Sequence, residues 1–283
     1  MADGNGDAHG NGPVDGMVRD LRVQPGTAAH LAGRDPGSRL GLDDRDVAHA
    51  EVEALITELD GLHNKLWAEA SRSVLLVLQG MDTAGKDGTI RRVLSGLNPQ
   101  GCEVVSFKTP STGELEHDYL WRVHASCPAR GRLGVFNRSH YEDVVVVRQL
   151  GLLDDDGARR RYRHIVDFER ILAEEGTTVV KVFLHISKGE QRRRLQERLD
   201  DPTKQWKFRS ADLEVRARWG DYQAWYEEAI THTSSEHAPW YVVPGDHKWV
   251  RDVAVARLLV ATFRRLDPQL PPADAKLGGL RVE

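Results

Sequence analysis

Cys102 and Cys127 are the chain's only two cysteines. That is too few for a disulfide framework or a thiolate metal cluster, and it suits a reducing compartment. No apolar run approaches the length needed to span a bilayer. Neither sign of charge dominates: 39 Lys and Arg stand against 43 Asp and Glu, a net charge of -4. A globally basic nucleic-acid-binding protein is therefore excluded, and any polyanion site has to be a local patch. The chain shows no Ser-His-Asp arrangement, no reactive-cysteine signature and no Asn-Lys-x-Asp guanine motif. Its Gly- and Asp-rich N-terminus lacks the basic and apolar regions of a secretory signal. The expectation is a cytoplasmic protein without nucleic-acid or membrane partners.

What is present centres on Gly80-Met81-Asp82-Thr83-Ala84-Gly85-Lys86-Asp87-Gly88-Thr89. The apolar run Ser73–Gln79 before it reads as a buried strand, and Thr89–Leu94 after it as the first turns of a helix. Strand, glycine loop and helix in that order are what a Walker A phosphate loop requires. Gly80 and Gly85 let backbone approach an anion, the amides at the helix start point at it, and the helix dipole favours its charge. Lys86 adds a mobile cation. Asp87 stands where Ser or Thr usually holds Mg²⁺, so metal oxygens have to come from elsewhere, Asp82 being the nearest.

The rest alternates. Residues 1–16 are low-complexity and expected to be disordered, and Val18 to Leu40 irregular. Val47, Val52, Leu55, Ile56, Leu59, Leu62 and Leu66 predict a long amphipathic helix from Asp43. Further strands are expected at Glu103–Phe107, Arg132–Phe136, Thr178–His185 and Trp240–Pro244. Helices are expected from Ser111 to about Ala125, Val144 to Leu150, past Gly157 to Glu175, Glu190 to Leu199, Ser210 to about Thr231, and Lys248 to Leu266. Ser111 with Glu114 and Ser187 with Glu190 resemble capping boxes. His117 and His124, seven apart on one helix, read as packed or surface residues rather than metal ligands. Arg159, Arg160, Arg161 and Arg163 read as a solvated face or subunit contact. Trp219, Tyr222, Trp225 and Tyr226 read as core. This alternation predicts an α/β fold, a five-stranded parallel sheet covered on both faces, with ligands beyond the carboxyl ends of the strands.

Asn137-Arg138-Ser139-His140-Tyr141-Glu142-Asp143 leaves the end of the third strand and resembles a Walker B region with Asn137 in place of Asp. Glu142 and Asp143 are then the available carboxylates. Mg²⁺ takes one or two carboxylates plus phosphate oxygens, which Asp82 and Asp143 would satisfy. The segment Asp200–Arg209, basic and aromatic, interrupts the alternation. Arg192, Arg193, Arg194 and Arg198 precede it, and Lys204, Lys207 and Arg209 lie in it. It reads either as a basic lid over phosphates or as a solvated loop.

Three stretches carry a resemblance to the polyphosphate kinase 2 family over roughly Leu40 to Leu266: Gly80–Gly88, Phe136–Val144, and Glu197–Pro202 continuing to Trp206-Lys207-Phe208-Arg209. The resemblance implies a P-loop kinase-like three-layer sandwich with a helical lid, and Mg²⁺-dependent, reversible phosphoryl transfer between inorganic polyphosphate and AMP, ADP or ATP. It implies catalytic roles for Asp82, Lys86, Arg138 and Asp143, with Mg²⁺ on Asp82 and Asp143. Phosphate or nucleotide contacts fall to Gly80, Ala84, Gly85, Lys86, Asp87, Gly88, Thr89, Asn137 and Glu142, and polyphosphate contacts to Arg198, Lys204, Lys207 and Arg209. Asn137 resembles the branch that phosphorylates both mono- and diphosphates. Domain bounds follow as an N-terminal extension 1–40, a catalytic domain 41–267 with a lid at about 198–216, and a loose tail 268–283. Family members are often dimers or tetramers, so a homo-oligomer is expected. The competing readings are an ATP-dependent nucleoside monophosphate kinase and a binding module without turnover.

Overall fold

A single sheet, with strand order β1-β6-β5-β2-β4-β3, organises the chain. Its strands are β1 (Arg22–Val23), β2 (Ser73–Gln79), β3 (Cys102–Ser106), β4 (Leu133–Asn137), β5 (Thr177–His185) and β6 (Trp240–Pro244). The helices are α1 (Pro13–Leu21), α2 (Arg45–Glu69), α3 (Lys86–Val93), α4 (Thr112–Leu115), α5 (Trp121–Ala125), α6 (Glu142–Gln149), α7 (Asp155–Glu174), α8 (Lys188–Asp200), α9 (Ala211–Ala217), α10 (Trp219–Thr233) and α11 (Lys248–Leu266). Residues 13–274 and 281–282 are described by this structure, a computed structural model.

The five expected strands are β2 to β6, and they are parallel. The sheet has a sixth: β1 pairs antiparallel with the edge of β6. The expectation of disorder over residues 1–12 lies outside the described residues. Beyond them the irregular stretch carries α1, whose Met17 and Leu21 are buried where it packs on α11. Neither element has a sequence signal of its own: nine helical residues are marginal without tertiary packing, and two strand residues need a neighbour's edge.

β2 is buried along its whole length and β5 along nearly all of it, as a central parallel strand covered on both faces has to be. Helices α2, α3 and α11 pack with one another, and α6, α7 and α10 form a second group. On α2 the buried face is Ala48, Val52, Leu55, Ile56, Leu59, His63 and Leu66, so Val47 falls off the apolar stripe and is exposed. Two long helices expected from the sequence are broken. The stretch after Ser111 splits into α4 and α5 because the Asp118 carboxylate accepts the Leu120 amide in a turn (2.9 Å). His117 and His124 therefore lie on different segments, stacking on Trp121 and meeting Phe168 edge-on. Arg218 separates α9 from α10, where Tyr222 and Tyr226 are buried as core. The Ser111–Glu114 capping box is formed.

One polar cluster lies inside the apolar layers. Lys181 on β5 is fully buried and donates to Glu169 Oε2 on α7 (2.5 Å), Tyr141 Oη (3.0 Å) and the Thr233 carbonyl (2.7 Å). Tyr141 donates to Glu169 Oε1 (3.0 Å), and His140 Nε2 lies 3.2 Å from the same oxygen. The ammonium and both carboxylate oxygens are bonded, which is what makes a buried charge pair tolerable, and among the described residues His140 Nδ1 is the one ring nitrogen of the cluster left without a partner. The cluster pins the chain just after β4. No described helix is long and apolar enough to cross a membrane.

Candidate active site

The chain leaves β2 for β3 on one side, returns to β4, then crosses to β5 and β6 on the other. β2 is thus where the winding reverses, and a crevice at its carboxyl end is the expected ligand site. Register sets what meets there. Leu78 pairs with Asn137, so the residues after β2 and after β4 emerge side by side.

After β2 comes the glycine loop. Gly80 has φ 151°, and a Cβ there would lie 2.7 Å from the Leu184 carbonyl oxygen on β5. Gly85, at φ 108°, caps α3, and a Cβ there would overlap the buried Arg251 guanidinium. Of the six non-glycine residues with left-handed backbone among the described residues, two are here, Thr83 (φ 66°) and Arg138 (φ 64°). Strain of this kind persists only where surroundings over-determine it, and it gathers at functional sites. Arg138 is held by its amide donating to the Leu78 carbonyl (3.1 Å).

Lys86 Nζ donates to the Gly80 carbonyl (2.7 Å). Arg138 donates to Asp82 Oδ1 (3.0 Å) and to Glu142 Oε2 (3.4 Å). Burial pushes the Lys86 ammonium below its ordinary pKa, and nearby Arg138 pushes the same way, against Asp82, Glu142 and Asp87. Burial raises Glu142 above the usual carboxylate range, opposed by Arg138 and Lys86. The Glu142 carboxylate in turn raises Arg138. Asn137 Nδ2 donates to Asp87 Oδ1 (2.6 Å), joining the two motifs directly. Two cations and a set of carboxylates therefore face the glycine loop from adjacent strand ends.

Asp143 is not in that group. Its Oδ2 accepts from Arg122 Nη2 on α5 (3.1 Å), its carbonyl accepts from Arg161, and its carboxyl is raised by burial against the pull of Arg122. The carboxylate that shares Arg138 with Asp82 is Glu142. Arg161 also lies over the Tyr119 ring, so that member of the arginine cluster is not simply solvated. Thr89 is buried and turns its hydroxyl back to the Gly85 carbonyl (3.2 Å). Ala84 is buried within the loop, and Gly88 lies in the first turn of α3.

In the 201–210 segment, Lys204 pairs with Asp201 (2.7 Å), Lys207 lies over the exposed Trp206 ring, and Arg209 is exposed. Arg198 reaches Asp212 Oδ2 on α9 (3.5 Å) and the Lys207 carbonyl (3.3 Å). Burial raises the Asp212 carboxyl, and the Asp82 charge raises it further. The arginines before this segment divide. Arg193 pairs with Glu190 and Glu197. Arg194 is buried behind the glycine loop, donating to the carbonyls of Thr83 (2.9 Å), Ala84 (3.1 Å), Gly245 (2.6 Å) and Asp246 (3.1 Å). Arg122, Arg194, Arg251 and Asp212 carry no sequence signal that separates them from surface charges.

Among the described residues no three His, Cys, Asp or Glu cluster as a closed metal cage. The donors at the loop are hard carboxylate oxygens, which suit Mg²⁺ sharing its shell with substrate phosphates.

A mostly parallel α/β sheet with a glycine loop after a central strand, a lysine at the following helix start and a cation from the neighbouring strand end defines a P-loop kinase-like enzyme. The family model for Polyphosphate kinase 2 matches residues 42–271, and the chain belongs to that family. It is 51% identical over 267 residues to the AMP/ADP-polyphosphate phosphotransferase of Meiothermus ruber, covering 94% of this chain and 100% of that protein. It is 44% identical over 249 residues to the ADP-polyphosphate phosphotransferase of Rhodopseudomonas palustris, covering 83% and 86%. The crystal structure of polyphosphate kinase 2 from Arthrobacter aurescens TC1 superposes with a TM-score of 0.87 at 44% identity, covering 91% of this chain and 92% of that one.

Proposed function

We propose that this enzyme moves the terminal phosphoryl group of inorganic polyphosphate to ADP and to AMP, and that the reaction is reversible. The observation that carries this is the convergence of Lys86 and Arg138 on the glycine loop, in a chain 51% identical to a protein named for both acceptors. The loop acts as a Walker A phosphate cradle, with its amides and the α3 start facing the phosphate. Lys86 exchanges the Gly80 carbonyl for a phosphoryl oxygen. Arg138, held between Asp82 and Glu142, presents its guanidinium to the charge that spreads over the transferred group. The acceptor's terminal phosphate oxygen is already ionised near neutral pH. It attacks phosphorus in line, the bond to the chain breaks, and the polyphosphate leaves one phosphate shorter. No general base is needed.

Bound Mg²⁺ would neutralise phosphate charge. We assign Asp82 as its first carboxylate and Asp143 as its second, which requires Asp143 to turn from Arg122, with Glu142, already sharing Arg138 with Asp82, as the alternative. Residues 198–216 form the lid in this reading. Arg198, Lys204, Lys207 and Arg209 bind the phosphate chain, and closure excludes water. Exposed apolar side chains such as Leu115, Trp121 and Ile171 suit a homo-oligomeric contact. A reducing cytoplasm suits the two free cysteines.

The test is a coupled ATP assay with polyphosphate and Mg²⁺, started separately from AMP and from ADP, without added ATP. ATP from both is the expected result. ATP from ADP alone removes AMP as acceptor, and neither ADP nor ATP from either overturns polyphosphate as donor.

A further inference from the structure

The glycine loop is held from α8 by two side chains, and one of them is also held by α9. Arg194 is a fixed brace, tied to carbonyls at both ends of its fork. Gln191 is different. It is fully buried, its Nε2 donates to the Asp82 carbonyl (3.3 Å), and its Oε1 accepts from Arg216 Nη1 on α9 (3.1 Å). The same Nη1 donates to the Lys188 carbonyl (2.7 Å), closing α9 onto the start of α8. Arginine only donates, so the orientation of the Gln191 amide is determined, with its oxygen toward α9 and its nitrogen toward the loop.

A buried amide is favourable only while both ends are bonded. If α9 moves away, the Gln191 oxygen loses Arg216, and the amide gains by turning toward another donor. It then releases the carbonyl of the residue whose carboxylate pairs with Arg138. We propose that Gln191 is a positioning residue that couples the place of α9 to the backbone of Asp82, so that a docked α9 sets the loop for transfer. The inference rests on the lid reading above, since α9 is the helix into which the lid segment leads. It gives Arg216, at the end of the lid, a role that needs no contact with phosphate.

A double-mutant cycle tests it, with Gln191→Leu, Arg216→Leu and the pair. Each single is expected to lower kcat about tenfold with little change in nucleotide KM, and the double to fall no further than the worse single. Arg216→Lys, which keeps a donor, is expected to recover most of the loss. Singles whose effects multiply in the double, or an unchanged kcat beside a lowered Tm, overturn the proposal. A second readout does not depend on the substrate. In the full-length Arg216→Leu protein, amide hydrogen exchange at residues 82–84 is expected to rise, although the substitution is on α9. Unchanged exchange there overturns the coupling, whereas a wild type inactive with polyphosphate overturns the functional reading instead.

Discussion

Asn137 Nδ2 lies 2.6 Å from Asp87 Oδ1, so the residue ending β4 is bonded to the residue that replaces the usual Ser or Thr of the glycine loop. An amide can donate there and a carboxylate cannot. Asn137→Asp would place two carboxylates together, and the pair would keep one proton or separate. We expect kcat/KM to fall about tenfold at about pH 8, and the deficit to narrow toward about pH 6 as one carboxylate is protonated. Initial rates of both proteins across that range check it. A deficit independent of pH would mean that charge is not the cause.

Asp143 and Arg122 are both buried and bonded to one another. Asp143→Asn leaves the guanidinium without its counter-charge, and a loss of about 3 kcal/mol in stability is expected. The same variant is expected to need more Mg²⁺ for half-maximal rate. Denaturant unfolding and a Mg²⁺ titration separate the two effects. A stability loss with an unchanged Mg²⁺ requirement would leave Asp143 only its hold on Arg122, and a raised requirement in Glu142→Gln would move the second metal carboxylate there.

Glu142 predicts a pH dependence of stability. Burial raises its pKa above the ordinary 4.5 despite Arg138 and Lys86. The folded state therefore holds this proton more tightly than the unfolded chain does. Stability falls as pH rises through the window between 4.5 and the raised value, and is level above it. Glu142→Gln lacks that loss. In calorimetry of the ligand-free proteins, the variant's Tm is expected to exceed the wild type's near neutral pH, with the gap closing on acidification. A gap that widens in acid would reverse the assigned direction.

Lys181 and Glu169 form a buried charge pair within the core. Lys181→Met removes one partner and strands the other, so a loss of about 3–5 kcal/mol is expected. Lys181→Met with Glu169→Leu should recover much of it. Urea unfolding of the single and double variants measures both. A double variant less stable than the single would show that the pair's hydrogen bonds to Tyr141 and Thr233 matter more than its charge.

In the segment proposed as the lid, Lys204, Lys207 and Arg209 are exposed, Lys204 pairing with Asp201 and Lys207 lying over Trp206. Replacing all three with alanine is expected to raise the polyphosphate KM about tenfold while moving the nucleotide KM less than about twofold. Substrate titrations of each kind decide it, and equal shifts would count against a polyphosphate-lining lid.

Much of this was legible in the residues alone. The run Ser73–Gln79, the glycines at 80 and 85 and the lysine at 86 specify a strand, a loop and a helix start through local rules of burial and backbone freedom. Alternation of apolar runs with helical spacing specified the parallel sheet. α1 and β1 were not legible, because each is too short to signal itself and exists by packing on α11 and β6. The breaks at Asp118 and Arg218 interrupt stretches whose composition stays helical.

At the site, local sequence placed Lys86, Arg138, Glu142 and Asp143 within two motifs but could not say which carboxylate faces which cation. Consecutive residues on α6 point in different directions, so Glu142 meets Arg138 while Asp143 turns to Arg122, 21 residues earlier on α5. Nor could the run of arginines from 192 to 194 reveal that one of them is buried against the loop's carbonyls. The sequence by itself determined the fold class and the phosphate chemistry, because both are announced by local signals: apolar runs alternating with helical spacing, and a glycine loop between a strand and a helix. Tertiary structure decided the pairing of charges, the support behind the loop and the link through Gln191. Those depend on distances between segments that are far apart in sequence and meet only when the sheet forms.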